Sequence, residues 1–187
     1  MKRLFAAIKI HPSPEFISVV SSMTAELKHE RIKWVELHNM HLTLKFFGET
    51  EEPRIPAIYQ ALASAAANAD SFTLHINRTG IFGSRYDPRV IWFGIDLEPG
   101  LLKLAENVFD NLQQAGWEPD RQNFVPHLTI GRIKELKDKA LFQQVIARYR
   151  EVKIQEQNVN ELILFESILR REGPEYIALR KFPLLNR

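Results

Sequence analysis

Apolar and polar positions along this chain recur with two periods, and the switches between them mark out its elements. Lys2–Ile10 is rich in Leu, Ile, Phe and Ala and predicts a buried strand, broken by His11-Pro12-Ser13-Pro14. Ser13 is placed to cap a helix with Pro14 in its first position, and Phe16, Val19, Val20, Met23 and Leu27 follow at helical spacing. Ile32–Glu36 reads as a short strand and His41–Phe47 as another, closed by Gly48. Glu51-Glu52-Pro53 opens a second helix with an acidic start suited to the helix dipole. Its apolar face is Ile55, Ile58, Tyr59 and Leu62, and the alanine-rich tail is good helix but weak core. Phe72–Asn77 alternates with Phe72, Leu74 and Ile76 inward, Thr79–Pro88 reads as a loop, and Val90–Ile95, apolar on both parities, predicts a central strand.

The second half repeats this grammar. Leu101, Leu104, Ala105, Val108 and Leu112 mark a helix ended by Gly116. A polar loop reaches Pro126, which biases Val125 toward extended geometry, and a strand follows over His127–Ile133. Phe142, Val145, Ile146 and Tyr149 mark a fourth helix, and Glu161–Ser167 and Tyr176–Phe182 close the chain as two strands around Gly173-Pro174. With no glycine-rich phosphate loop, strand–helix–strand in both halves predicts a duplicated α+β unit with mostly antiparallel sheets rather than a dinucleotide-binding sheet. The expected organisation is one two-lobed domain over residues 1–187 with an internal pseudo-twofold.

Composition narrows the chemistry. Lys and Arg number 25 against 23 Asp and Glu, so the chain is no polycation and non-specific attachment to duplex DNA is not indicated. The absence of cysteine excludes disulfides, a thiol nucleophile and thiolate-held metals. The start MKRLFAAIKIHP has a short apolar run interrupted by Lys9 and reads as a strand rather than a signal peptide. No stretch is apolar for long enough to span a bilayer. A cytoplasmic, monomeric protein with no membrane partner is the default expectation.

Two near-identical stretches carry the chemistry: HLTL at His41–Leu44 and HLTI at His127–Ile130, separated by close to half the chain. On a strand His41 and Thr43 project to one face, as do His127 and Thr129, while Leu42, Leu44, Leu128 and Ile130 face a core. One His-x-Thr is commonplace on strands. Two copies in matching frames at half-chain spacing point to two lobes that bring both pairs to one cleft. Opening a cyclic phosphodiester needs a base, an acid and donors for the non-bridging oxygens. Histidine titrates near neutrality and can serve as either base or acid, and threonine hydroxyls can donate to phosphate oxygens. No metal or other cofactor is required.

HLTLKFFGE and PHLTIGR resemble the two motifs of the two-histidine (2H) phosphoesterase superfamily, most closely its RNA 2′,3′-cyclic phosphodiesterase branch, the LigT-like 2′-5′ RNA ligases. GIFGSRYDPRVIWFGI resembles that branch's mid-chain loop and strand, and ESILRREGPEYIALRKFPL its closing hairpin. The resemblance implies a duplicated two-lobed LigT-like α+β fold, with mostly antiparallel sheets lining a central cleft and helices outside. It implies hydrolysis of a terminal 2′,3′-cyclic phosphate to a 2′-phosphomonoester, with His41 as proton donor and His127 as acceptor. It also implies a reversible joining of RNA ends through a 2′-5′ bond.

Three further residues are candidates for substrate binding. Strict alternation puts Arg132 on the wrong face, but Gly131 can mark a bulge that re-aims it to clamp phosphate; the alternative is a surface arginine. Lys45 shares parity with His41 and Thr43 and lines the cleft on that reading, or else sits at a solvated sheet edge. Phe46 has core parity, whereas the resemblance implies an aromatic at the cleft that stacks on a base. Arg85, Tyr86 and Arg89 lie in a loop and could touch RNA, but an ordinary charged loop is the better reading. The partner expected is RNA ending in a 2′,3′-cyclic phosphate, or a small cyclic nucleotide. Competing readings are a 2′-5′ ligase or a cyclic-nucleotide phosphodiesterase using the same site, a non-catalytic RNA-end-binding module, and a metal hydrolase. For the last, no acidic residue completes a ligand spacing.

Overall fold

The structure, a computed structural model, describes residues 1–118 and 124–186. The elements run β1 (Lys2–Lys9), α1 (Pro14–Glu26), β2 (Arg31–Trp34), β3 (His41–Thr50), α2 (Ile55–Ala67), β4 (Phe72–Gly83), β5 (Pro88–Ile95), α3 (Pro99–Gln114), β6 (His127–Glu135), α4 (Lys139–Arg148), β7 (Lys153–Val159), β8 (Glu161–Leu169) and β9 (Pro174–Pro183). They form two sheets of order β3-β1-β8-β9 and β2-β6-β5-β4-β7, and every strand pairing in them is antiparallel. This is the expected α+β class.

In each sheet a helix separates the motif strand from the strand it pairs with: α1 lies between β1 and β3, and α3 between β5 and β6. The sheets are not simply the two halves of the chain. β2, from the first half, edges the second sheet beside β6, and β8 and β9, from the C-terminal end, complete the first. Each sheet therefore draws on both halves of the chain. α2 packs on α3 and β9, α1 on β7, and α4 on β4. Ser13 caps α1 as expected, its side chain accepting from the Phe16 amide, and the Phe16 ring meets Phe93 of β5 edge-on at 5.1 Å.

The structure departs from the pattern reading in four places. β7 was not expected, because its KIQEQNV carries few apolar residues. Only Ile154 and Val159 are buried, while Gln155 and Gln157 hydrogen-bond backbone at Lys9, His11 and Ser13. β4 runs on to Gly83, so most of the expected loop is strand and the turn is confined to residues 84–87. Arg78, at φ 60, marks an irregularity within β4, and Trp92 lies so closely over Gly80 that a Cβ there would meet its ring at 2.2 Å. β3 passes through Gly48, at φ 69, rather than ending there. In the alanine tail of α2 beyond Leu62, Ala65 and Ala66 are core after all, and Asn107 of α3 donates to the Ala65 carbonyl at 3.3 Å.

Candidate active site

The alternation along the two motif strands holds. Leu42, Leu44, Leu128 and Ile130 are buried in the main core, while His41, Thr43, His127 and Thr129 are partly exposed. All four of the exposed residues line one cleft of about 930 Å³ between the sheets, together with Arg132. β3 and β6 also come into contact with each other.

Each imidazole is oriented in the same way. His41 Nδ1 lies 2.6 Å from the carbonyl of Asn39, and His127 Nδ1 lies 2.8 Å from the carbonyl of Val125, in both cases two residues back. A carbonyl only accepts, so Nδ1 carries the proton and donates it, leaving Nε2 to exchange a proton with a ligand. Asn39 is itself buried, and its Nδ2 donates to the Pro174 carbonyl at 3.0 Å, which ties this support to the β8–β9 hairpin.

The surroundings of the two rings differ. His41 sits against Phe5 (4.9 Å, tilted) and edge-on to Tyr176 (5.1 Å, 86°), and its register partner is Lys9. Burial pushes the His41 imidazole below the ordinary histidine value, Lys9 adds to the effect, and the hydrogen bond to Asn39 opposes it. His127 has one aromatic neighbour, Phe82, edge-on at 4.7 Å. Burial raises the Tyr176 hydroxyl, partly offset by Arg132 and Arg3.

One irregularity accounts for the candidates beyond the motifs. Along β1 and β3 the register runs Ala7↔Thr43 then Ala6↔Lys45, so Leu44 is extra. Along β5 and β6 it runs Trp92↔Thr129 then Ile91↔Gly131, so Ile130 is extra. The same bulge follows both threonines and inverts the parity of what comes next. It turns Arg132 onto the cleft face. It also turns Lys45 away, which corrects the parity reading: Lys45 is buried, is not among the cleft-lining residues, and its Nζ donates to the Glu118 carbonyl at 3.0 Å. Phe46, the counterpart of Arg132 five residues past its histidine, is half exposed rather than core. It lies opposite Phe5, a cleft residue, and so shares that face. Its ring stands outside the cleft lining, with the Arg3 guanidinium 5.2 Å from its centroid.

Phe5, Lys9, Phe82 and Tyr176 were not picked out by pattern. Phe5 lies in a strand apolar on both parities, which hides its cleft face, and Phe82 falls in the stretch read as loop. Tyr86 is exposed at the β4–β5 turn and Arg89 pairs with Asp87 at 2.6 Å; neither lines the cleft. Among the described residues no group of three or more His, Asp or Glu is placed to hold a metal ion, and no helix is long and apolar enough to cross a membrane.

Two antiparallel sheets that each deliver a His–Thr pair to a shared cleft are the architecture of a two-histidine phosphoesterase. Residues 12–168 match the 2′-5′ RNA ligase superfamily, and the chain belongs to that family. A relative named RNA 2′,3′-cyclic phosphodiesterase, from Archaeoglobus fulgidus, is 32% identical over 96% of this chain and 99% of its own length. The crystal structure of TT0787 of Thermus thermophilus superimposes with a TM-score of 0.79 at 30% identity, covering 98% of each chain. That of Escherichia coli LigT complexed with 3′-AMP does so with a TM-score of 0.74 at 25% identity, again over 98% of each.

Proposed function

We infer that this chain is an RNA 2′,3′-cyclic phosphodiesterase, in which His41 donates and His127 accepts the proton. Water attacks phosphorus opposite the ribose 3′ oxygen. His127 Nε2 takes the proton of that water, and His41 Nε2 gives one to the 3′ oxygen as its bond to phosphorus breaks. The product is a 2′-phosphomonoester with a free 3′ hydroxyl. Thr43, Thr129 and Arg132 donate to the non-bridging oxygens, where negative charge builds up.

The observation that carries this reading is the pair of imidazoles lining one cleft, each with Nδ1 occupied by a backbone carbonyl and Nε2 left for chemistry. Acid, base and oxyanion donors all come from side chains, so hydrolysis should proceed unchanged in the presence of a chelator. Both pairs come from one chain, which supports a monomer as the working unit. The matching bulges support descent of the two lobes from one duplicated unit. An RNA 5′ hydroxyl in place of water would yield a 2′-5′ phosphodiester through the same transfers, in keeping with the family to which the chain belongs.

The test is to offer an oligoribonucleotide ending in a 2′,3′-cyclic phosphate and to identify the product. A 2′-phosphate end in the presence of chelator is expected. A 3′-phosphate end, or binding without turnover at any pH, would overturn the assignment.

A further inference from the structure

The same cleft carries basic side chains beyond those that act on the reacting phosphate. Along β6 the residues His127, Thr129, Arg132 and Lys134 all line it, in an order that leads away from the catalytic histidine. Lys33 of β2 lines it too and stands directly opposite Arg132 in the β2–β6 register. Opposed residues of an antiparallel pair share a face with Cβ atoms about 5 Å apart. Lys134 is the extra residue of a bulge, between the pairs Arg31↔Glu135 and Ile32↔Ile133, the kind of position that re-aims a side chain. The Lys33 ammonium reaches the β8–β9 turn, where a Cβ on Gly173 would lie 3.8 Å from Nζ.

Among the described residues these cations have no carboxylate partners: Lys33, Arg132 and Lys134 make no ion pair, whereas neighbouring Arg31 pairs with Glu135 at 3.0 Å and Arg170 with Glu175 at 2.9 Å. The carboxylates lining the cleft are Glu36, Glu172 and Glu175, and none is within ion-pair distance of the three. A cluster of like charges that the fold leaves unpaired inside a concave site raises the local concentration of anions.

We propose that Lys33 and Lys134 form a subsite for the phosphodiester on the 5′ side of the terminal nucleoside, so that an oligoribonucleotide is preferred over a cyclic mononucleotide. The proposal rests on the phosphodiesterase reading above. The chemistry of the substrate sets the direction: the terminal nucleoside carries the reacting phosphate on its 2′ and 3′ oxygens and the next phosphate on its 5′ oxygen. With the reacting group between His41 and His127 and gripped by Arg132, the next anion falls where the row of cations continues. Two residues of strand advance roughly 6.7 Å, the span of about one nucleoside between phosphates.

The experiment compares a nucleoside 2′,3′-cyclic phosphate bearing a 5′ hydroxyl with a trinucleotide that ends in the same cyclic phosphate. The proteins are the wild type, a Lys33→Ala/Lys134→Ala double variant and the corresponding double Lys→Arg variant. Both lysines are exposed, so folding should be unaffected, and a thermal melt checks this. The wild type should favour the trinucleotide in kcat/KM by about ten-fold or more, and the alanine variant should lose that advantage, as charge-assisted contacts of this kind allow. Hydrolysis of the cyclic mononucleotide should stay within about two-fold, and the arginine variant should keep the preference. The slope of log kcat/KM against log salt for the trinucleotide should fall by about 0.7 for each phosphate contact removed. Equal loss on both substrates, or no trinucleotide preference in the wild type, would overturn the subsite while leaving the activity standing. A wild type that hydrolyses neither substrate would overturn both.

Discussion

β3 and β6 carry one motif through one kind of bulge, with the equivalent backbone carbonyl, two residues back, holding each imidazole, yet they present it to different surroundings. On β3 the histidine is walled by Phe5 and Tyr176 and faces Lys9; on β6 it meets Phe82 alone. Five residues further along, β3 places Phe46 and β6 places Arg132. Four residues along, β3 has Lys45 reaching the Glu118 carbonyl, and β6 has Gly131 packed under Ile32 and Trp34. Backbone geometry is thus what the two lobes share, and solvation and charge are where they differ. A proton donor must carry its proton on Nε2, and the burial and Lys9 around His41 disfavour that charged form in the free protein, so a bound phosphate anion has to restore it.

The largest effects are expected at the rings themselves. His41→Ala and His127→Ala should each lower kcat on a cyclic-phosphate RNA end by about 10²–10⁴-fold, the usual worth of a positioned acid or base. Circular dichroism and the melting temperature should be unchanged, since both rings are partly exposed in the cleft. Normal turnover by either variant would remove the paired mechanism.

At the next pair of equivalent positions the two lobes should respond differently. Arg132→Ala should lower kcat/KM by about 10–100-fold through loss of a charged donor. Phe46→Ala should raise KM with little change in kcat, the outcome that stacking on a base, implied for this position by the family resemblance, would give. Steady-state kinetics on one oligonucleotide separates them, and a matching fall in kcat for both would erase this difference between the two strands.

The wall around His41 gives a pH prediction. As donor it must be protonated, so activity falls as pH rises through its pKa, and burial places that pKa below the ordinary value in the free protein. The alkaline limb of kcat/KM, which reports the free enzyme, should therefore lie below that of an ordinary histidine. A bound phosphate anion favours the charged ring, so the limb of kcat should lie higher. Tyr176→Ala admits water and should move the kcat/KM limb upward, while Phe82→Ala, on the other lobe, should leave it in place. Coincident limbs in wild type and Tyr176→Ala would detach the aromatic wall from the titration.

The smallest effect concerns packing. A Cβ at Gly131 would lie 3.0 Å from Ile32 Cγ2 and 3.2 Å from the Trp34 ring. Gly131→Ala should cost about 1–3 kcal/mol by overpacking the seam between β2 and β6, read as a lower urea midpoint. An unshifted midpoint would show that the seam yields without cost.

Much of this was legible in the residues. Period-2 alternation at His41–Leu44 and His127–Ile130 determined which side chains face the cleft, because successive strand residues point to opposite faces whatever surrounds them. Capping at Ser13, the apolar faces of the helices and the central place of Val90–Ile95 followed from equally local rules. The misreadings share a physical cause. Lys45 and Phe46 were assigned by extending alternation across a bulge: on β6 Gly131 signalled one beside Arg132, but β3 has Lys45 in the equivalent place and carries no such signal, so its bulge at Leu44 shows only in the register with β1. β7 escaped because its strand state is held by pairing with β4 and by glutamine contacts to distant backbone, not by an apolar stripe. The alanine tail of α2 became core because α3 lies against it.

The repeated motif, the chemistry its side chains can perform and the class of fold follow from the residues alone, since these depend on residue type and near-neighbour spacing. Tertiary structure alone decided that both motifs open on one cleft, that Arg132 turns in while Lys45 turns out, and that aromatic rings enclose His41 more than His127. Those outcomes depend on strand register and on contacts between residues far apart in the chain, which no local pattern encodes.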